Sequence, residues 1–327
     1  MQFSNKKKNR HNVRMRNFSC GAPTTCDNIL RYILLCVFDV ITYRKTLSCK
    51  CCIVYWCLMT SLAPAYKNSL NDLDGSEWLK LTKSWFVLNP PKRAVKNLHP
   101  ATFPDELAEK FIKLFTKKGD WVVDPFCGMA STLASAKRLG RNGIGVELYD
   151  YFVEKGNSRL MQIPGKTKVQ VIQGDSRFLE DILKSHGISS VNFCLTSPPY
   201  WSQLKRKSER QQKRSLNGLK TRYGQDKADL GNIGDYQYFL EEQEQIFDSL
   251  YRVMADRSYL VVITNNVYTQ GRLWPLAFDT FTSLSKKWIP KDEMIWCQND
   301  KSLRPFGMFH SYIGNRSHHY CLAFRKE

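Results

Sequence analysis

Short apolar segments alternate with helical ones between residues 104 and 195, and this alternation limits the fold more than any other feature. Four segments are predicted to be strands: WVVD (121–124), GIGVE (143–147), VQVIQ (169–173) and VNFCL (191–195). Helical patterns lie before and between them, at 104–119, 131–139, about 149–162 and about 177–185. Strands that alternate with helices in this way pair in parallel, so we expect an α/β fold with a doubly wound, mostly parallel sheet.

Three acidic residues lie at the ends of the first three predicted strands: Asp124, Glu147 and Asp175. Ligands of such sheets bind at the carboxyl ends of the strands. One acid in this place is usually a helix cap, but three in succession favour a binding site. The loop after Asp124 is not GxGxxG, and its acid would repel a pyrophosphate. We therefore expect a cationic adenosyl ligand, with Glu147 spaced suitably for ribose hydroxyls.

The sequence TSPPYW (196–201) follows the fourth strand. Two prolines end the strand, because proline has a fixed φ and no backbone N–H. The common interpretation is a rigid turn covered by buried aromatic residues. The alternative is a preformed slot for a planar group, with a hydroxyl from Ser197, unpaired carbonyls and the ring of Tyr200.

The net charge of +19 favours a polyanionic partner: DNA, RNA or an acidic membrane surface. From Lys205 to Lys227, nine Lys or Arg stand against two acids, in a loop predicted at 202–234, where phosphate contact competes with a solvated linker. Residues 60–98 are a second candidate for reading DNA sequence. Segment 304–320 is expected to be a polar hairpin loop, although its histidines and Arg316 are candidates for DNA contact. The candidate phosphate-binding residues of the basic loop are Lys205, Arg206, Lys207, Arg210, Lys213, Arg214, Lys220 and Arg222.

The first 58 residues differ from the rest of the chain. They hold seven of the eleven cysteines, a pattern typical of a reduced intracellular protein, and no histidine at ligand spacing, so no metal site is predicted. A basic run precedes two apolar runs that are too short for a membrane span, and a signal or anchor is the second interpretation. We expect 1–58 to be a dispensable extension, 59–98 an N-terminal segment and 99–327 the main domain.

DPFCGMAST (124–132) and TSPPYW together resemble motifs of the S-adenosylmethionine-dependent DNA amino-methyltransferases. KNLHPATFP (96–104) and HHYCLAFRK (318–326) resemble the segment before the glycine loop and the final strand of that family. The resemblance covers roughly residues 70–327, in a circularly permuted motif order. It implies a Rossmann-like, seven-stranded methyltransferase sheet with an antiparallel C-terminal hairpin, and S-adenosyl-L-methionine as the cofactor.

The resemblance also implies a cofactor site. The loop after Asp124 would hold the methionine end, Glu147 the ribose hydroxyls, and Asp175 would lie near the adenine amino group. Ala130 stands where the family often has glycine, so we expect weaker or shifted binding. The implied cofactor-binding residues are Phe103, Pro104, Asp124, Pro125, Phe126, Gly128, Glu147 and Asp175.

The family's catalytic motif would correspond to Ser197, Pro198, Pro199 and Tyr200. An exocyclic amine is a poor nucleophile because its lone pair is delocalised into the ring. Acceptors such as the Ser197 hydroxyl and the Pro198 carbonyl would free that lone pair. The base must be flipped out of the duplex to reach them, and Tyr200 offers a stacking face.

Serine before the prolines resembles the cytosine members. The expected function is therefore site-specific methylation of cytosine N4 in double-stranded DNA, within restriction-modification. A cognate restriction endonuclease is a candidate partner, no membrane partner is expected, and the expected location is the prokaryotic cytoplasm, at the nucleoid. The alternatives are adenine N6 methylation, RNA methylation, and a non-catalytic nucleic-acid-binding protein with a decayed methyltransferase fold.

Overall fold

A computed structural model describes residues 68–89, 103–201, 226 and 228–327 of the 327-residue chain. The proposed extension 1–58 and most of segment KNLHPATFP lie outside these residues. So do all eight candidate phosphate-binding residues of the basic loop. Within the described ranges, no helix is long and apolar enough to cross a membrane.

The main sheet contains eight strands in the order β1-β9-β10-β6-β5-β2-β3-β4, and β7 and β8 form a separate hairpin. In chain order the strands are β1 Trp85–Val87, β2 Trp121–Asp124, β3 Asn142–Glu147, β4 Val169–Gln173, β5 Val191–Thr196, β6 Met254–Thr264, β7 Val267–Thr269, β8 Arg272–Trp274, β9 Ile289–Cys297 and β10 His318–Arg325. Five of the seven neighbouring pairs in the main sheet are parallel. The predicted doubly wound, mostly parallel sheet is confirmed, and β9 with β10 forms the predicted antiparallel C-terminal hairpin.

The eighth strand, β1, was not predicted. It pairs in parallel with β9 at the edge of the sheet, with Phe86 opposite Trp296. The indole Nε1 of Trp296 donates a hydrogen bond to the Leu88 carbonyl at 2.7 Å. A three-residue strand has too little periodicity to be recognised in sequence, because its conformation depends on this partner more than 200 residues away.

Seven α-helices of the described residues surround the sheet: α1 Gly75–Leu81, α2 Asp105–Phe115, α3 Ser131–Arg138, α4 Asp150–Met161, α5 Leu179–Ser185, α6 Tyr236–Val253 and α7 Leu276–Leu284. Alternate residues of one strand face opposite sides, as in β5. Phe193 packs with the apolar residues of α2, whereas Cys194 packs with those of α5 and α6. Both faces are thus covered by helices, which explains why the central strands β2 and β5 are mostly apolar and buried.

Gly145 in β3 allows the loop after β2 to lie directly on the sheet. A Cβ at this position would be 2.3 Å from Cys127 Sγ and 2.7 Å from Cys127 Cβ. The Cys127 N–H donates to the Val146 carbonyl at 3.0 Å, which fixes this close approach. The absence of a side chain at residue 145 therefore helps to position the loop of the candidate site.

We predict that Gly145→Ala lowers the free energy of unfolding by about 1–3 kcal/mol, because the added methyl overpacks the contact with Cys127. Urea denaturation measures this change. Gly75→Ala is the matched control, since a Cβ there meets nothing within 4 Å. Equal stability of the Gly145→Ala variant and the wild type would contradict the proposed close contact.

Candidate active site

Strands β2, β3 and β5 end at the same edge of the sheet, and their last residues bring two predicted motifs together. Asp124 ends β2 and is only 1% exposed. Its Oδ1 accepts a hydrogen bond from Thr196 Oγ1 at 2.7 Å, and its Oδ2 accepts one from Thr132 Oγ1 at 2.6 Å. The residue before Ser197 is therefore bonded directly to the acid of the glycine loop.

The carboxylate of Asp124 also accepts the backbone N–H of Phe126 at 3.0 Å. Burial raises the pKa of Asp124 to about 6, and its three hydrogen bonds oppose that rise. An acid this enclosed acts on a ligand through its charge and through the groups it positions. The role predicted for Asp124 at the methionine end is thus compatible with an electrostatic contribution.

Glu147, at the end of β3, is half-buried and closes the glycine loop from the opposite side. Its Oε2 accepts the N–H of Gly128 at 2.9 Å, and its Oε1 accepts the N–H of Tyr149 at 3.1 Å. Each carboxylate oxygen has a further lone pair, which can accept a hydroxyl donor. This geometry is suitable for the pair of ribose hydroxyls that the sequence assigned to Glu147.

Burial raises the pKa of Glu147 to about 7, and repulsion from Asp229 and Asp124 adds to the rise. Tyr149 connects two of these groups, since its hydroxyl donates to Asp229 Oδ2 at 2.8 Å. Sequence reasoning missed Tyr149 and Asp229, because Asp229 lies far along the chain. The negative charges that raise the pKa of Glu147 favour a cationic ligand and disfavour a phosphate.

Ala130 adopts the left-handed conformation, with φ 60° and ψ 36°, just before α3. Its methyl group is fully buried, and a Cβ at Gly156 would lie 3.4 Å from it. For an L-residue this conformation costs roughly 1–2 kcal/mol, which explains why glycine suits the position. Weaker cofactor binding from this substitution stays a prediction.

Asp175 follows β4, as expected, but its carboxylate is bound by Arg177. The Arg177 guanidinium lies 2.6 Å from Asp175 Oδ2, and the Arg177 N–H donates to Asp175 Oδ1 at 3.0 Å. The same guanidinium pairs with Glu242 Oε2 at 2.6 Å. A contact between Asp175 and an adenine amino group must therefore share the carboxylate with Arg177, which sequence reasoning did not consider.

The side chains of Ser197, Tyr200 and His319 form a hydrogen-bonded chain. Ser197 Oγ lies 3.2 Å from the Tyr200 hydroxyl, and that hydroxyl lies 3.2 Å from His319 Nδ1. Burial lowers the pKa of His319 to about 3, and Lys301 and His318 add to the effect, so the imidazole is neutral near pH 7. His319 also stacks on Trp296, with ring centroids 4.6 Å apart.

The rest of the TSPPYW segment combines both interpretations of its sequence. Trp201 is 3% exposed and packs 4.9 Å from Tyr236 and 4.7 Å from Trp274, so it covers the turn as a buried aromatic residue. Pro198 is buried, whereas Pro199 and Tyr200 are half-buried. The slot interpretation therefore concerns Ser197 to Tyr200 and excludes Trp201.

Three of the predicted cofactor residues have structural contacts of their own. Pro104 is buried and caps α2, and Phe103 is half-buried against the apolar cluster around that helix. The Pro125 carbonyl accepts a hydrogen bond from the Ser176 hydroxyl, which connects the glycine loop to the segment after β4. No described hydrogen bond joins Phe103 or Pro104 to the acids, so their role stays a prediction.

The donor set fits S-adenosylmethionine. Glu147 offers carboxylate oxygens for two hydroxyls, and the combined charge of Asp124, Glu147 and Asp229 favours a ligand with an ammonium and a sulfonium. The backbone at Gly128 has φ 50°, so the loop runs close to the sheet without a side chain that would obstruct a ligand.

The pKa of Glu147 predicts a pH-dependent stability. A folded pKa of about 7 against 4.5 means that the folded state holds this proton more tightly than the unfolded state. Stability is therefore lost as pH rises from 4.5 toward 7. Glu147→Gln removes this titration, so the Tm of the variant relative to wild type should rise between pH 5 and pH 8, by roughly 4 °C or more.

Thermal unfolding at several pH values tests this prediction. Glu154→Gln, at an exposed position on α4, is the control for replacing a glutamate by glutamine, and the rise for Glu147→Gln is measured against it. A pH-independent Tm difference for Glu147→Gln would show that the carboxyl does not titrate as described.

Comparison with known proteins shows curated relatives that are similar to part of the chain. Among them are the type II methyltransferase M.MthZI of Methanothermobacter thermautotrophicus, 35% identical over 94 residues, and the type II methyltransferase M2.DpnII of Streptococcus pneumoniae, 40% identical over 62 residues. These matches cover 28% and 19% of this chain and 26% and 23% of the relatives, so the chain matches about a quarter of their length. Among solved structures, TrmN from Thermus thermophilus matches with a TM-score of 0.43 and 12% identity, over 68% of this chain and 49% of that one.

A family model described as DNA methylase matches residues 60–158. This range includes Asp124, Gly128 and Glu147, the residues that form the hydrogen-bonded edge of the candidate site. Residues 60–158 of this chain thus carry the sequence pattern of a DNA methylase family.

Proposed function

We propose that the protein is an S-adenosylmethionine-dependent DNA methyltransferase that modifies the exocyclic amine of a flipped base, N4 of cytosine. The observation that carries this proposal is the hydrogen bond between Asp124 and Thr196. It joins the loop of the DNA methylase match to the TSPPY segment, two parts of the chain that are 72 residues apart. A cofactor site and an amine-binding slot at the same edge of the sheet would allow a methyl group to pass from the cofactor to the amine.

Within this proposal, the cofactor supplies an electrophilic methyl group when it is bound. Glu147 would accept hydrogen bonds from the ribose hydroxyls of the cofactor, and the charge of Asp124 would stabilise its cationic methionine end. Ser197 Oγ and the Pro198 carbonyl would accept hydrogen bonds from the two N–H groups of the target amine, which frees its lone pair for bond formation. Once the nitrogen has gained its new bond to carbon, it would lose one of these protons to solvent. Because these acceptors are fixed by the turn before the base arrives, they need no rearrangement during the reaction.

The hydrogen-bonded chain to His319 supports the role of Ser197. If the neutral His319 Nδ1 accepts a hydrogen bond from the Tyr200 hydroxyl, the Tyr200 oxygen can accept a hydrogen bond from the Ser197 hydroxyl, with 3.2 Å between the two oxygens. Both lone pairs of Ser197 Oγ are then directed away from its own proton and remain for the amine. Tyr200 thereby orients the serine hydroxyl in addition to offering a ring face to the base.

Adenine N6 is the second candidate, because the same acceptors suit any exocyclic amine, and the preference for cytosine comes from the serine of the motif. Double-stranded DNA is the proposed partner, on the strength of the DNA methylase match and the +19 net charge. A role in restriction-modification, with a cognate endonuclease, is proposed from the similarity to two type II methyltransferases.

A radiometric assay tests the proposal. The full chain is incubated with S-adenosylmethionine labelled in its methyl group and with duplex DNA, single-stranded DNA or RNA in parallel. The proposal predicts label in DNA and none in RNA. Label in RNA alone, or in no nucleic acid although the protein binds the cofactor, would contradict it.

A further inference from the structure

The connection between β9 and β10, residues 298–317, leaves the sheet beside the catalytic motif. Cys297 and His318 face each other across the two strands, and the Gln298 N–H donates to the Ser317 carbonyl at 2.7 Å. Because β10 runs antiparallel to β6 and β6 runs parallel to β5, the connection lies at the edge where β5 ends. We call residues 298–317 the aromatic loop.

A direct contact joins the base of the aromatic loop to the motif. His319 lies two residues after the loop, and its Nδ1 is 3.2 Å from the Tyr200 hydroxyl. The Asn265 side chain donates to the His318 carbonyl at 2.8 Å and holds the same strand end. A ligand that reaches Ser197 and Tyr200 from solvent therefore comes close to this loop.

The loop exposes large apolar side chains, which differs from the polar hairpin expected from its sequence. The exposed fractions are 80% for Leu303, 53% for Phe306, 55% for Met308, 90% for Phe309 and 94% for Tyr312. Clusters of exposed apolar side chains of this kind usually mark contact surfaces.

Hydrogen bonds across the aromatic loop hold these side chains outward. Asn315 bonds both backbone groups of Arg304, with its Oδ1 2.9 Å from the N–H and its Nδ2 2.8 Å from the carbonyl. At the tip, the Gly307 carbonyl accepts the N–H groups of His310 at 3.0 Å and Ser311 at 2.8 Å. Phe309 lies within this turn, just before His310, and has a φ of 70°, a conformation that is unfavourable for a phenylalanine.

The charges of the aromatic loop identify the chemistry of its partner. Three cationic residues, Lys301, Arg304 and Arg316, stand against one acid, Asp300. This combination of cations with exposed aromatic and aliphatic side chains suits DNA. The phosphates of DNA attract the cations, and apolar side chains can insert between its stacked bases. A membrane surface or a second copy of the chain would use the apolar tip as well, but neither explains its position beside the catalytic motif.

We propose that the aromatic loop binds duplex DNA beside the target base and inserts its tip, Phe309 and Tyr312, into the base stack that the flipped base leaves. This inference rests on the proposed function. The inserted rings would replace the lost stacking, which lowers the free energy needed to hold the base in the slot.

The test uses a duplex with the methylated site, mapped beforehand by sequencing modified DNA, in two forms. In one form the target base is paired. In the other it lies opposite an abasic position, so that it can flip without breaking a base pair. Phe309→Ala and Tyr312→Ala should each lower kcat/KM on the paired duplex roughly tenfold. The abasic partner should restore most of that loss, and Phe309→Leu should retain most of the activity.

Met161→Ala is the matched control, since Met161 is 81% exposed but ends α4, at the opposite edge of the sheet. A separate fluorescence titration with 2-aminopurine beside the target reports unstacking without methyl transfer. It should show a smaller rise for Phe309→Ala than for the wild type and Met161→Ala.

Unchanged kcat/KM and fluorescence in both alanine variants would overturn the insertion, as would equal losses on both duplexes. A dimer that dissociates in Phe309→Ala, with DNA binding intact, would assign the tip to a second copy instead. Failure of the wild type to methylate any DNA would contradict the proposed function itself, whereas methylation of DNA by the wild type and by both alanine variants at equal kcat/KM would contradict the insertion alone.

Discussion

Replacing Ser197 with alanine should lower kcat for DNA methylation by roughly 100-fold or more, because the reaction loses a fixed acceptor for the target amine. Ser197 Oγ contacts the Tyr200 hydroxyl and has no described bond to Asp124 or Glu147. The KM for S-adenosylmethionine should therefore stay within about threefold of the wild-type value, since the lost interaction belongs to the transition state. Steady-state kinetics with labelled cofactor measures both constants.

Ser185→Ala is the control for the Ser197 variant. Ser185 is exposed at the end of α5, and its described contacts are local. Its hydroxyl donates to the Ile182 carbonyl at 2.8 Å and also contacts the imidazole of His186. A Ser197→Ala variant with the kcat of this control would remove serine from the mechanism.

Tyr200→Phe tests whether the hydrogen-bonded chain acts through Ser197. The phenylalanine ring retains the stacking face but breaks both 3.2 Å contacts of the hydroxyl. We expect a smaller loss of kcat than for Ser197→Ala. The double variant should be no slower than Ser197→Ala alone, because residues that act through one group do not contribute independently. Additive losses would mean that the Tyr200 hydroxyl acts on the base directly.

Replacing Asp124 with asparagine should weaken the binding of S-adenosylmethionine about 30-fold or more, because a buried charge that faces a cation is lost. The amide oxygen can still accept from Thr196 and Phe126, and Thr132 has the Leu195 carbonyl within 3.5 Å as another acceptor. The fold should therefore persist. Isothermal titration with the cofactor measures the affinity.

Asp124→Ala separates charge from structure. It leaves a cavity and removes the acceptor of two buried hydroxyls, so it should lower the free energy of unfolding by about 2–4 kcal/mol. Release of Thr196 should also displace Ser197, so that activity falls even at saturating cofactor. Normal cofactor affinity in Asp124→Asn, or normal stability in Asp124→Ala, would contradict the account of this acid.

The sequence predicted the sheet and its edge because both follow from local patterns. Short segments of four or five residues defined β2 to β5, and the acids at or just after β2, β3 and β4 located the ends of those strands. Asp124 and Glu147 lie there as expected, with the glycine loop between them. These elements need no partner distant in sequence to be recognised.

The contacts that complete the site could not be predicted in the same way. The pair of Asp175 with Arg177 depends on rotamers and on Glu242, 65 residues after Arg177. The contact of Tyr200 with His319 spans 119 residues and requires β10 to lie beside β6. The exposure of the apolar side chains in the aromatic loop could not be predicted from the sequence either, because apolar residues in a loop can also be buried.

The most direct measurement identifies the modified nucleoside in duplex DNA that has been incubated with the full chain and S-adenosylmethionine. The DNA is digested to nucleosides, which are separated by chromatography against standards and identified by mass, since N4-methylcytosine and C5-methylcytosine have the same mass. The account predicts N4-methyldeoxycytidine. N6-methyldeoxyadenosine alone would contradict the assignment to cytosine, and DNA without any methylated amine would contradict the central claim.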